Sequence, residues 1–302
     1  MVGYTDRIGL ILNLLDIALE NINRRGKIAE YLISQERPDL LDQFHTYQNE
    51  ALEARKFLNN SLIELESGAF ILEVGGGILA LAIQLASEGF QITTVEPVGE
   101  GFTGIYFLMN IYQKIASSEN VEFTLINLPI EECKFDQKFD FIFSINVMEH
   151  LRDPYLVLMK LMENLKQSGN YRFFCPNYDF PYEPHFGKWM FLRRNGAFYL
   201  SASRASISNV GQTDSSGLYR SINFLTERKI RIFLIQNNLR YEVDQNAFYS
   251  VLNRSLFDTE LQNRHTRLYR IVLTIQKFNL LHTARYFPKR FQPVIDCTVR
   301  KN

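Results

Sequence analysis

The run Ile71-Leu72-Glu73-Val74-Gly75-Gly76-Gly77 leads an apolar stretch into three consecutive glycines. Glycines at a strand-to-helix turn let the backbone approach a ligand, and they leave helix N-terminal amides facing it. Glu96 closes the next apolar run and is placed to accept hydrogen bonds from two ribose hydroxyls. An acidic group about twenty residues after such glycines is their usual partner. This pair suits an adenosine-bearing cofactor. The glycines alone do not say which one, since Gly75, Gly77 and Ala80 also satisfy the G-x-G-x-x-A form of a dinucleotide turn.

A second concentration of chemistry lies in Pro176-Asn177-Tyr178-Asp179-Phe180-Pro181-Tyr182-Glu183-Pro184-His185-Phe186-Gly187. Prolines stiffen this run around titratable and aromatic side chains. His185 is the preferred general base, Glu183 or Asp179 orients or replaces it, and Tyr182 is a substrate contact. The competing reading is a rigid loop whose His and Tyr only pack.

These residues need elements to hold them. Residues 1 to about 66 show helical spacing, as in Ile8, Ile11, Leu12, Leu15, Leu19 and Ile22. From residue 69 short apolar runs alternate with helical ones. Strands are expected at 70–74, 91–95, 121–126, 139–145 and 171–175, and helices at 79–87, 103–116 and 154–167. Asp153-Pro154 supplies a cap and first turn for the last of these. Such alternation predicts an α/β fold with a parallel sheet covered on both faces. Residues 178–217 lack a period and are too long for a simple connector. Helix 226–239, a strand over 241–251, further helix over 256–281 and a strand at 293–299 complete the chain.

Composition narrows the function. The chain has 302 residues, no net formal charge, and hydrophobic residues at 46%. That describes a globular chain without an apolar run long enough to span a bilayer, and no secretory signal is visible at its start. Cys133, Cys175 and Cys297 form neither a disulfide framework nor a zinc pattern, so buried thiols and a cytoplasmic location are expected. Residues 220–302 carry 15 Lys and Arg against 6 Asp and Glu. That local excess points either to an anionic substrate or surface near the C-terminal region, or to solvated helix faces. No basic-aromatic stripe suggests nucleic acid, and no metal-ligand cluster appears.

Two features resemble the class I (Rossmann-like) S-adenosylmethionine-dependent methyltransferases. Glu73-Val74-Gly75-Gly76-Gly77 is similar to that family's E/D-x-G-x-G signature, and Phe139-Asp140 through Glu149-His150-Leu151 to Asp153-Pro154 resembles its fourth-strand segment. The order of these elements matches as well, and the resemblance covers roughly residues 68–177. It implies a seven-stranded, mostly parallel sheet with N-terminal helices and a helical insertion near the C-terminus. It further implies S-adenosylmethionine held by Glu73, Gly75, Gly76, Gly77, Glu96, Asn127, Leu128 and Asn146, with His150 in a supporting role. Asn127 stands where many members have Asp.

The expected layout is a helical lid or extension over 1–66 and a methyltransferase domain over 67–302. Loop 178–217 and a helical insertion at about 252–288 are substrate-side additions. The expected activity is O- or N-methylation of a small molecule, apolar or aromatic, with a second copy of the chain as candidate partner through the N-terminal helices. Two rivals stand beside it: a cofactor-binding but non-catalytic or partner-activating protein, and an NAD(P)-dependent oxidoreductase. Glu73 and the 139–151 segment weigh against the oxidoreductase.

Overall fold

The computed structural model describes residues 24–97, 103–183, 188–189, 222–258, 262 and 266–302. The chain forms two compact units, with the boundary between Phe141 and Ile142.

In the first unit, helix α1 covers residues 24–34 and a 3-10 turn at Pro38–Leu40 leads into α2, Leu41–Leu62. Strand β1, Phe70–Val74, is buried from its second residue onward, as both faces of a parallel strand demand. It pairs in parallel with β2, Gln91–Val95, and β2 pairs in parallel with β3, Thr124–Ile126. Helix α3, Ala80–Ser87, and α4, Thr103–Ser118, connect these strands. β4, Phe139–Ile145, begins here, and Asp140 accepts a 2.9 Å hydrogen bond from the Phe70 amide at the entry of β1. Ile28 and Leu32 of α1, Leu40, and Phe44 of α2 share a buried cluster with Ile78, Leu79 and Ile83 of the glycine turn and α3, and with Leu108, Met109 and Tyr112 of α4. Two ion pairs support the same packing: Arg24 with Glu119, and Arg55 with Glu88.

In the second unit, a 3-10 turn at Met148–His150 precedes α5, Pro154–Asn164. Asp153 caps α5 as expected, accepting from the Tyr155 and Leu156 amides at 3.0 Å each. The helix stops at Asn164 rather than near Gln167, and β5 runs from Leu165 to Pro176. Ser168 and Gly169 therefore lie in a strand. The polar run Lys166-Gln167-Ser168 offers no helical stripe to bury, and its neighbours are held by the chain end, where Lys301 donates to the Leu165 carbonyl and Gln167 to that of Asn302. β6, Tyr182–Glu183, and β7, Lys188–Trp189, make a separate antiparallel ribbon.

Helix α6, Glu227–Gln236, is followed by β8, Arg240–Val243. The strand expected over 241–251 ends early, because Asp244 accepts from the Asn246 amide and turns the chain into helix α7, Ala247–Arg254. Helix α8, Thr266–Lys277, and two 3-10 turns complete the insertion before β9, Val294–Arg300, which is antiparallel to both β5 and β8. The seven strands form one mostly parallel sheet in the order β3-β2-β1-β4-β5-β9-β8, flanked by helices.

Candidate active site

The glycine turn is built where β1 ends. Gly75 and Gly76 amides both donate to the Val95 carbonyl, at 2.8 and 3.3 Å, which locks the turn against the end of β2. Gly75 and Gly77 take φ of +87° and +52°, and Leu79, the residue before α3, takes +70°. A leucine in that region costs about 1–2 kcal/mol. Its side chain is fully buried in the cluster with α1, α2 and α4, and that packing holds the turn in place.

The three glycines do different work. A Cβ on Gly76 would lie 2.2 Å from Thr94 Oγ1, so this position faces the protein interior and is kept small by β2. A Cβ on Gly77 would meet nothing within 4 Å. The turn thus has a tight inner side and an open outer side. That open side, backed by a helix start, is what a close-packed cofactor requires.

Two carboxylates flank the turn. Glu96 accepts a 2.8 Å hydrogen bond from the Gly77 amide. Burial pushes its carboxyl up to about 7, and the Gly77 bond opposes that rise. Glu73 is 3% exposed and accepts a 2.9 Å bond from Thr94 Oγ1. Burial raises it to about 8; the Thr94 bond pulls the other way and the nearby Glu96 adds to the rise. The Glu96 amide donates to the Ile126 carbonyl, so the residues after β3 begin beside it: Asn127, which is exposed, and Leu128, an apolar side chain left 45% exposed. Glu73, Gly75, Gly77 and Glu96 therefore lie together at the ends of β1 and β2 in the first unit, whereas Gly76 supports the turn from inside. These residues fit an adenosine-bearing cofactor. A cleft of about 550 Å³ opens elsewhere in this unit, around Gln91, Ser117 and Thr124, at the far end of β2 from Glu96.

The second unit carries the remaining candidates. Asn146 is exposed, has φ +56°, and its amide donates to the Phe174 carbonyl at 2.8 Å. Glu149 is fully buried beside His150, and Asn223 braces their segment by donating to the Met148 and Leu151 carbonyls. Past the end of β5, Asn177 is 1% exposed and its side chain is saturated. It donates to the Arg290 and Gln292 carbonyls and accepts from the Asp179 and Glu227 amides. Asp179 is thereby fixed next to the start of α6. Tyr182 and Glu183 form β6, paired with Trp189 and Lys188. Their side chains, and all of His185, lie outside the described residues.

Glu227 was not singled out in the sequence. It is 4% exposed and burial raises its pKa; Arg231 opposes that rise and Asp179 adds to it. Thr226 before it is a helix cap whose hydroxyl accepts from Lys229 N–H, a legible signal that hid a functional candidate among ordinary first-turn acids. Aromatic residues flank Asp179 in sequence: Tyr178, buried with Ile222, meets Phe224 edge-on at 5.2 Å, and Phe180 begins a chain of ring contacts with Phe248 and Phe287. Among the described residues no group of His, Cys, Asp and Glu is arranged to hold a metal ion.

Comparison with known proteins agrees with this geometry. Residues 44–212 match the family model described as a methyltransferase domain. The chain belongs to that family and is a class I, S-adenosylmethionine-dependent methyltransferase. In particular, it is 36% identical over 254 residues to an uncharacterized protein of Mycobacterium tuberculosis strain H37Rv, covering 83% of this chain and 85% of the relative. It is 27% identical over 111 residues to a ubiquinone biosynthesis O-methyltransferase of Rickettsia akari, covering 37% and 40% of the two chains. Among solved structures, the plantazolicin methyltransferase BpumL, in complex with a monoazolic desmethylPZN analog and SAH, covers 96% of this chain and 99% of its own at 14% identity, with a TM-score of 0.48.

Proposed function

We propose that the chain methylates an oxygen or nitrogen of a small apolar or ring-bearing acceptor. The observation that carries the cofactor half is the Gly77–Glu96 arrangement: a glycine open on its outer side, next to a carboxylate already held at the turn. Glu73, Gly75, Gly77 and Glu96 would hold S-adenosylmethionine, with Asn127 and Leu128 at its adenine and Asn146 proposed from the sequence motif. When bound, that cofactor supplies an electrophilic sulfonium methyl group.

What the chain adds is position and a proton acceptor. The ring chain Phe180–Phe248–Phe287, which begins next to Asp179 in sequence, supports an apolar or ring-bearing acceptor. Asp179, with Glu227 as its neighbour, takes the proton that the acceptor gives up. His185, Glu183 and Tyr182 remain proposed for the same loop as alternative base, orienting group and substrate contact. A cytoplasmic setting and a second copy of the chain as partner belong to the same proposal.

The test is calorimetric titration with S-adenosylhomocysteine, followed by methyl transfer to a panel of phenols, amines and azoles. Binding that Glu96→Ala removes, with turnover that Asp179→Asn and Glu227→Gln depress, supports the proposal. Binding without turnover on any acceptor favours a non-catalytic, partner-activating role, and binding of NADH instead would overturn it.

A further inference from the structure

Between residues 266 and 295 the chain carries six Lys and Arg and no Asp or Glu. Helix α8 lies in this stretch. Its inner face buries Val272 against Leu252, Leu281 and Ala284. At about 100° per residue, the opposite face gathers Arg270, Ile271, Thr274, Lys277 and Phe278 into one arc. The Phe278 amide donates to the Thr274 carbonyl, so helical geometry extends to the last of these.

This face mixes two kinds of group that water does not favour together. Ile271 is 52% exposed and Phe278 is 66% exposed, with Leu280 at 50% just beyond. Arg270 and Lys277 are exposed on the same arc. Further on, Tyr286 is 82% exposed, next to Arg285, whose guanidinium lies 4.2 Å above the Tyr249 ring. Lys289 and Arg290 are used differently, facing the Glu227 carboxylate.

We propose that the outer face of α8 and the turn after it dock on an anionic lipid surface. Residues 266–295 hold no carboxylate of their own to offset Arg270, Lys277 and Arg285, so the occupant is anionic. Exposed Ile and Phe gain only from an occupant with apolar depth. Long basic side chains beside large apolar ones suit the headgroup boundary, where stems and rings enter the acyl region and charged heads stay with the phosphates. A nucleic acid would use the cations and leave Ile271 and Phe278 in water.

The experiment is co-sedimentation of the full chain with phosphatidylcholine vesicles, with and without phosphatidylglycerol. Two double variants are compared: Arg270→Glu with Lys277→Glu, and Ile271→Ser with Phe278→Ser. Binding is expected only with phosphatidylglycerol, weakened by salt, and about tenfold weaker in each double variant. All these positions are exposed, so unchanged melting and unchanged S-adenosylhomocysteine binding identify the loss as one of docking. Absence of sedimentation, equal sedimentation without the anionic lipid, or full binding by the Ser double variant overturns the proposal. The last outcome, with retention on heparin, would assign the cations to a soluble polyanion.

Discussion

Thr94 sets the character of the glycine turn. Its hydroxyl donates to Glu73 and leaves no room for a Cβ on Gly76. Gly76→Ala is therefore expected to destabilise the fold by about 1–3 kcal/mol, measured by urea unfolding. Gly77→Ala, which meets no atom of the protein, is expected to cost about 1 kcal/mol in stability through its positive φ and to block cofactor binding instead. Glu96→Ala removes a charge-assisted acceptor, and a loss of about a hundredfold in S-adenosylhomocysteine affinity by calorimetry is expected.

The two flanking carboxylates also make pH predictions. Glu73 keeps its proton up to about pH 8 in the folded chain, against 4.5 for a free side chain. Between those values the folded state binds more protons than the unfolded one, so this group's contribution to stability falls as pH rises. Glu73→Gln should melt above the parent chain at about pH 9 and level with it near pH 4. Glu96 titrates about 7, and a ribose diol needs its ionised form as acceptor. Cofactor affinity should therefore climb from pH 6 to about pH 8 and then level off. Affinity flat across that range would remove Glu96 from the ribose site.

Among the elements, β5 carries the most. Asn177 just past its end gathers the start of α6, the segment before β9 and Asp179 through four hydrogen bonds of one buried side chain. Asn177→Ala is expected to destabilise by about 3 kcal/mol, because buried backbone groups lose their partners. It should also lower turnover more than cofactor affinity, since Asp179 and Glu227 lose their anchor while the glycine turn sits in the other unit. Element boundaries were legible where local chemistry decides them, as with the Asp153 cap, the Thr226 cap and the apolar runs of β1 and β2. They were missed where tertiary pairing overrides pattern. Ser168-Gly169 reads as a helix stop, yet it lies within β5, whose neighbours the chain end secures.

For the whole molecule, the three cysteines are all buried thiols, none in a disulfide. Burial raises the Cys175 and Cys297 thiols well above their usual range, with nearby carboxylates adding to it. A thiol reagent should react with none of them in the native protein and with all three after unfolding. Among the described residues no helix is long and apolar enough to cross a membrane.

The sequence by itself determined the family, through the resemblance of its 73–77 and 139–154 segments, and it placed the strand–helix alternation of β1 to β4 and the acids at the ends of β1 and β2, because these rest on local signals: periodicity, glycine at a forced turn, an acid at a strand end. Only the tertiary structure decided which glycine faces the interior and which faces open space, that Leu79 holds a left-handed turn by burying its side chain, and that Glu227 lies beside Asp179. Those outcomes depend on which side chains meet across distant segments, and no spacing along the chain encodes a contact between residues 48 positions apart.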